Sequence, residues 1–247
     1  MTRFPLILTI FFLGGCTGSE WGWYVISPGT QSGRINLGFL LSGLGYTISV
    51  SILAMIFSIA IGLLFALLGI SSNRAARWSN RAYVEFFRAI PMLVMVLWVY
   101  YGLPVVLGIS IDTFWAGVLA LALSDSAFEA EIFRGGIQSI SRGQVEAADS
   151  IGLSYIDKMR YIILPQAIRR ILPPLGNQFV YMLKMSSLVS VIGLAELTRR
   201  ANELVVSEYR PLEIYSFLVL EYLVLIVIVS YFVRRMEKKM RADEHQH

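Results

Sequence analysis

Lys184 stands two residues before a pair of hydroxyls, Ser186 and Ser187, inside an otherwise apolar run. A lysine beside serines can serve as the base of a nucleophilic dyad, or its ammonium can hold a carboxylate together with the hydroxyls. The same residues can also be a plain helix-packing cluster. Asp125 and Glu129 lie four apart in another apolar run, and so share one face of a helix. They can meet the amino group of a small zwitterion, or form a buried pair satisfied by hydroxyls or by Lys184. Glu221 stands alone among aliphatics, where a structural hydrogen bond is the simpler expectation, and Glu131 with Arg134 has the spacing of a helix ion pair. No phosphate loop of the GxxxxGK[ST] type occurs, so any nucleotide chemistry belongs to another chain. The single Cys, Cys16, excludes an internal disulfide, and His245 and His247 in the polar tail suggest neither metal binding nor catalysis.

These groups need elements to position them, and composition says which. Of 247 residues 56% are hydrophobic and only 15% charged, against about 25% charged in soluble domains. Five apolar runs are expected to cross a bilayer, roughly 44–69, 89–106, 114–133, 171–194 and 212–233, each close to the ~20 residues a spanning helix needs. Helices are required because lipid cannot satisfy open backbone groups. A charge inside such a span costs about 2.5–3.5 kcal/mol, so each should face protein or water. Basic residues set the direction. Arg74, Arg77, Arg81 and Arg88 fall between spans one and two, six Lys and Arg residues from Arg134 to Arg170 flank or occupy the connection between spans three and four, and five more from Arg234 to Arg241 follow span five. The positive-inside rule places these segments and the C-terminus in the cytoplasm. The net charge of +4 is thus a membrane signature and no footprint for nucleic acid.

The connection between spans three and four is polar enough to leave the bilayer. Ser141 with Gln144 has the form of a capping box, and Ser154 with Asp157 is a looser helix start. Gly152 between them suits a left-handed helix end. Two short helices meeting at a tight bend are expected. Ala147 and Ala148 would keep the first one smooth for a partner, Glu146 would supply a charge, and Pro165 would end the second helix and turn the chain back into the membrane. At the other end of the chain, Phe4 to Leu13 is apolar but too short to span and looks like a signal-peptide core. Leu13-Gly14-Gly15-Cys16 resembles a lipobox, which makes Cys16 a lipidation candidate. A retained amphiphilic terminus or a misassigned start is the alternative. Trp21, Trp23 and Tyr24 suit an interfacial anchor.

Glu146-Ala147-Ala148, Gly152 and Leu164-Pro165 carry the spacing of the EAA loop, by which bacterial ABC importer permeases grip their ATPase. Further pieces agree: Arg88-Ala89-Ile90-Pro91, Tyr101-Gly102-Leu103-Pro104, Ala130-Glu131-Ile132-Phe133-Arg134-Gly135, and Ser186-Ser187-Leu188-Val189-Ser190. As a set, over about residues 37–235, they resemble the permeases of polar amino acid ABC importers. The departures are Ile90 where the family often has Thr or Ser, Met185 where it often has an acid, and Glu129 where it usually has a small or neutral residue. The last two lie where substrate would be read. The resemblance implies an all-α membrane protein of the type I importer permease fold, with five core helices. Its expected parts are a signal-like or lipobox segment 1–16, a periplasmic segment 17–36, a transmembrane domain 37–235 with coupling loop 135–170, and a cytoplasmic tail 236–247.

The function implied is a non-catalytic, multi-pass permease subunit in the bacterial inner membrane, surrounded by lipid. It would pass polar L-amino acids, acidic or neutral, from a periplasmic binding protein to the cytoplasm by ATP-driven alternating access. The partners implied are two ABC ATPase subunits, which would hold the ATP and Mg, and a second permease, identical or homologous. No cofactor or metal is expected in this chain. Candidate ATPase-coupling residues are Glu146, Ala147, Ala148, Gly152, Leu164 and Pro165. Candidate pathway residues are Arg88, Pro91, Asp125, Glu129, Lys184, Ser186 and Ser187, with Lys184 and the serines holding a substrate carboxylate and Asp125 or Glu129 facing its amino group or resting against Lys184. Two alternatives come from other classes: an intramembrane Ser/Lys enzyme, and an ion-coupled secondary transporter, which would predict inverted repeats that the sequence does not display.

Overall fold

The computed structural model describes residues 21–244, all of whose regular elements are helical. Cys16 with the signal-like segment, and both histidines, lie outside the described residues. A 3-10 turn at Trp23–Ile26 leads into α1 (Gln31–Leu41), capped by Thr30, whose hydroxyl accepts from Gly33 N at 3.1 Å. Ser42 keeps helical dihedrals, so α1 passes into α2 (Gly43–Ile70) and the two form one run of 40 residues across positions 36 and 37. The remaining helices are α3 (Arg74–Ala89), α4 (Met92–Leu107), α5 (Thr113–Gln138), α6 (Arg142–Ser150), α7 (Tyr155–Lys158), α8 (Leu164–Met185), α9 (Leu197–Glu208) and α10 (Pro211–Glu244).

The five expected spans correspond to α2, α4, α5, α8 with the 3-10 turns that follow it, and α10. Among the described residues only the α1–α2 run and α10 are, on their own, both long and apolar enough to cross a membrane by length and composition. α5 carries Asp125, Glu129, Glu131 and Arg134, and it tolerates them because it is the central helix, packed against α2, α3, α4 and α8. Its contact with α2 is the most extensive in the fold, and the buried residues there are small. The buried face of α2 includes Ser51, Ala54, Ser58, Gly62 and Ala66, that of α5 includes Ala116, Gly117, Ala120, Ser126 and Ala130, and Gly62 lies directly against the backbone of Ser126 and Ala130. Without a hydrophobic drive between helices in lipid, such seams of small residues hold by close backbone packing. α10 lies at the periphery, against α8 and α9.

Two helices were not anticipated. Arg74 to Arg88, expected as a basic loop, forms α3, which is capped by Asn73 and folds back against α2 and α5. Its direction differs from that of α4 by 98° at Ile90 and Pro91. Ile90 is extended, as sterics demand before a proline. Beyond α8, the segment Ser186–Ile192 tightens into 3-10 turns and ends on Gly193 at φ 93°. The chain then bends by 47° into α9. Glu196 follows span four in a segment shared with Arg199, Arg200, Glu203 and Glu208, and so reads as one acid of an aqueous loop. It is instead fully buried as the cap of α9, accepting from Arg199 N at 2.7 Å and from the Tyr222 hydroxyl at 2.9 Å. Thr47 of α2 accepts from Leu197 N at 3.2 Å, which ties the start of α9 to α2.

Proline leaves a different mark from the one expected. Pro165 does not end the second coupling helix. Met159–Ile163 widens into a π-turn, and α8 follows directly, with Leu164 and Pro165 in its first turn. α4 shows the same arrangement, a π-turn at Trp98–Gly102 just before Leu103 and Pro104. Proline lacks an N–H and its ring collides with the carbonyl four residues earlier, and a widened turn relieves both.

The close approach of α2 to the start of α9 generates a test. A Cβ on Gly43 would stand 2.6 Å from Leu197 N and 2.7 Å from the Glu196 carbonyl carbon, with no flexible side chain to yield. Gly43→Ala is expected to destabilise the purified protein by about 1–3 kcal/mol, the usual range for overpacking. Gly38→Ala, where nothing lies within 4 Å, serves as the control. Equal thermal unfolding of the two variants would contradict the close approach of α2 and α9.

Candidate functional site: a coupling tip and a separate open face

At one end of the bundle α6 and α7 form a compact tip. α6 ends in a Schellman arrangement: Leu153 N donates to Ala148 O at 3.1 Å, Gly152 N donates to Asp149 O at 3.0 Å, and Gly152 sits at φ 73°. Ser154 caps α7, its hydroxyl donating to Asp157 Oδ2 at 2.6 Å and accepting from Asp157 N at 3.2 Å. Both features match expectation. The Ser141 capping box does not form, because no backbone N–H of α6 reaches the Ser141 side chain. Lys158 bonds Asp149 at 2.5 Å and so bolts α7 to α6.

The tip divides into an inner and an outer face. Ala148 is only 3% exposed and packs inward, so of the two alanines only Ala147 offers a smooth outer surface. Ile151, Tyr155 and Ile156 stand 75%, 71% and 73% exposed, an apolar cluster around the Gly152 bend. Glu146, Leu164 and Pro165 are also exposed. The sequence signal for the three apolar residues was present but unread: large side chains in a short segment otherwise polar enough to leave the membrane. Exposed apolar clusters rimmed by charge mark contact surfaces. Arg170 at the head of α8 donates to both the carbonyl and the hydroxyl of Ser139 at the end of α5. The two strands of chain that lead to the tip are thereby tied together.

The pathway candidates do not gather at one place. Asp125 and Glu129 are enclosed between α2, α5 and α8, at 1% and 0% exposure. Asp125 accepts from Gln178 of α8 and from Ser58 of α2, the latter at 3.4 Å. Both oxygens of Glu129 lack a protein partner. The expected contact with Lys184 does not occur. Lys184 lies six residues after Gln178, hence about 240° further around the helix axis, and faces away from α5. It is exposed and, with Ser187, Val219, Tyr222, Leu223 and Ile226, lines an open cavity of about 410 Å³ between α8 and α10. Among the described residues it forms no ion pair. Ser186 is fully buried and its hydroxyl donates to Leu183 O at 2.8 Å, while that of Ser187 donates to Lys184 O at 2.8 Å. Neither hydroxyl bonds the ammonium, so the Ser/Lys dyad is not assembled. Arg88 lies 4.9 Å over the Phe128 ring, and Pro91 is exposed at the corner between α3 and α4.

One buried acid behaves unlike the reading made of it. Glu221 was expected to form a structural hydrogen bond, yet both its oxygens lack a protein partner, although it is 9% exposed. Glu131 does pair with Arg134 through two contacts, one at 3.1 Å, as its spacing indicated. Polar partners that sequence reasoning missed are Gln178, and Tyr83, whose hydroxyl shares a 2.6 Å hydrogen bond with Ser126. Neither residue has a spacing that announces its partner. Among the described residues no group of His, Cys, Asp or Glu could hold a metal ion.

Comparison with known proteins places this geometry. Residues 58–242 match the model of the binding-protein-dependent transport system inner membrane component family. The chain is 40% identical over 205 residues to the probable glutamine ABC transporter permease protein GlnM of Bacillus subtilis, covering 83% of this chain and 94% of that one. It is 36% identical to the arginine transport system permease protein ArtQ of the same organism, with 83% and 94% covered, and 37% identical to the glutamine transport system permease protein GlnP of Escherichia coli, with 82% and 93% covered. Among solved structures, an amino acid ABC transporter crystallised with histidines matches at 40% identity and a TM-score of 0.79, over 83% of this chain and 96% of that one. The methionine transporter MetNI, at 19% identity and a TM-score of 0.72 over 84% and 98%, shares the fold. This helical bundle with its capped two-helix tip, matched by these proteins along most of its length, belongs to the binding-protein-dependent inner membrane components, as an amino acid ABC importer permease of the type I fold.

Proposed function

We propose that this permease works as one of two in a pore driven by two ATPase subunits, and that it moves a polar L-amino acid delivered by a periplasmic binding protein. The observation that carries the reading is the tip, an exposed apolar cluster at Ala147, Ile151, Tyr155 and Ile156 held rigid by the Schellman turn and the Lys158–Asp149 bond. ATP closes the ATPase dimer and draws the tips together. The motion reaches α5 and α8 through Arg170 and Ser139 and opens the pathway to the periplasm. Hydrolysis resets it. ATP and Mg belong to the partner ATPase. The positive-inside rule puts the tip and the C-terminus in the cytoplasm.

Glutamine leads as the substrate, since two of the relatives described above are named for glutamine, and arginine is the second choice. Lys184 lies 20 residues along the helix from Leu164, about 30 Å from the tip. There its unpaired ammonium, in an open cavity, suits the α-carboxylate that any amino acid presents. Asp125 and Glu129 lie in the helix interior, and in this reading they brace α5 against α2 and α8.

Three outcomes test these statements in the complete transporter reconstituted with its binding protein. Gly152→Ala, which puts a side chain on left-handed backbone at a cost of roughly 1–2 kcal/mol, and Glu146→Lys should each weaken the stimulation of ATP hydrolysis by loaded binding protein. Normal stimulation in both would remove the tip from the coupling path. Lys184→Met should cut uptake several-fold without altering the affinity of the binding protein for its amino acid. Uptake at the wild-type rate would take Lys184 out of the pathway. For direction, an impermeant thiol reagent applied to intact cells should add no label to Ser154→Cys beyond that on the parent, which carries Cys16, and should add label to Ser110→Cys; the reverse pattern would invert the topology.

A further inference from the structure

Between α3 and the tip-side end of α5 lies a polar pocket of about 440 Å³. Four arginines line it, Arg77, Arg81, Arg88 and Arg134, with Asn80 and Gln138 and two acids, Glu85 and Glu131. Only one of the four guanidinium groups is neutralised. Arg134 pairs with Glu131. Arg77 donates to the Ser71 and Ser72 carbonyls at 2.8 and 2.7 Å, which satisfies its N–H groups but leaves its charge. Arg88 covers the Phe128 ring, and Arg81 forms no ion pair among the described residues. Asn80, also in the lining, is 7% exposed, and its Oδ1, an acceptor, lacks a protein partner, which suits a hydroxyl donor of a headgroup and not the phosphate itself. The pocket therefore offers planar donors and net positive charge.

Its surroundings are those of a lipid interface. On the same helix Trp78 and Phe86 stand 72% and 59% exposed, the residue types that settle at headgroup depth. Directly before Gly69, which lines the pocket, α2 presents exposed Leu63, Leu64 and Leu67, an apolar track that an acyl chain can follow. Arginine clusters bind phosphate through paired N–H donors, and basic pockets between helices on the cytoplasmic side suit anionic headgroups. We propose that this pocket is a binding site for the phosphate headgroup of an anionic phospholipid of the inner leaflet, with its acyl chains along the Leu63–Leu67 face of α2. Phosphate is the chemistry recognised, and the adjoining apolar track selects the lipid over a soluble phosphate. The inference rests on the direction proposed above, which the thiol-labelling experiment tests separately.

Retained lipid is the direct readout. The complete transporter, purified from bacterial membranes and delipidated, is titrated with phosphatidylglycerol in nanodiscs or mixed micelles, and bound lipid is counted by native mass spectrometry. Arg81→Gln should lower occupancy about fivefold, in line with the contribution of one basic residue near an anionic surface. Arg81→Lys should keep most of it. Arg74→Gln removes the same charge from the same helix but outside the pocket, and should leave occupancy unchanged. Glycerol phosphate and inorganic phosphate, without acyl chains, should compete poorly even in large excess. Equal losses in Arg81→Gln and Arg74→Gln would show diffuse attraction and overturn the site, as would unaltered occupancy in Arg81→Gln. Displacement by glycerol phosphate at concentrations matching the lipid would overturn the lipid as occupant.

Discussion

In a bilayer two helices hold together only as well as their backbones can approach, because the lipid is as apolar as any leucine. The seam of small residues between α2 and α5 meets that constraint, and the other contacts are arranged around it. It places α5 at the centre. A central helix can carry Asp125 and Glu129 away from lipid, with Ser58 and Gln178 to receive one of them. It also leaves a flank against which α3 folds back, Tyr83 reaching Ser126. At the far end the same helix α2 accepts α9 at Gly43 and Thr47, where a larger residue than glycine would collide with backbone.

The two ends of the molecule are built differently. The tip closes on itself through helix caps, a left-handed glycine and one short ion pair, and it hides little of its apolar surface. The opposite end is built from 3-10 turns, a second left-handed glycine and a bend, with a buried acid capping the next helix. α8 connects the capped tip to the bent distal segment.

Much of this was legible in the residues. Apolar runs located the spans, Gly152 announced its left-handed turn, Ser154 its cap, and Glu131 its partner Arg134. Other features depend on phase and context that a linear pattern does not hold. Lys184 and Asp125 share a polar character, but six residues of helical rotation beyond Gln178 turn the lysine away, and only packing reveals that. The density of arginine from Arg74 to Arg88 obscured an amphipathic helix. Glu196 looked like one of several loop acids, because the tyrosine that holds it lies 26 residues on. The Ser141 motif had the right letters, yet a side chain has to choose the rotamer that caps, and this one does not. The sequence offers the pathway candidates as one set; the fold separates the interior pair Asp125 and Glu129 from the open face at Lys184.

The π-turn at Met159–Ile163 stores one extra residue in an otherwise continuous helical path from Tyr155 to Met185. An α-helical residue turns the chain by about 100° and advances it by about 1.5 Å. Five residues in a π-turn rotate the chain by about as much as four in a regular α-helix, so losing a single amino acid there would restore a regular helix and leave the outer face of the tip looking nearly the same way. The same loss elsewhere between Tyr155 and Met185 would swing the tip by about 100°. The wide turn thus acts as slack in the helical path, and the length of the chain on either side of it sets which way the tip looks.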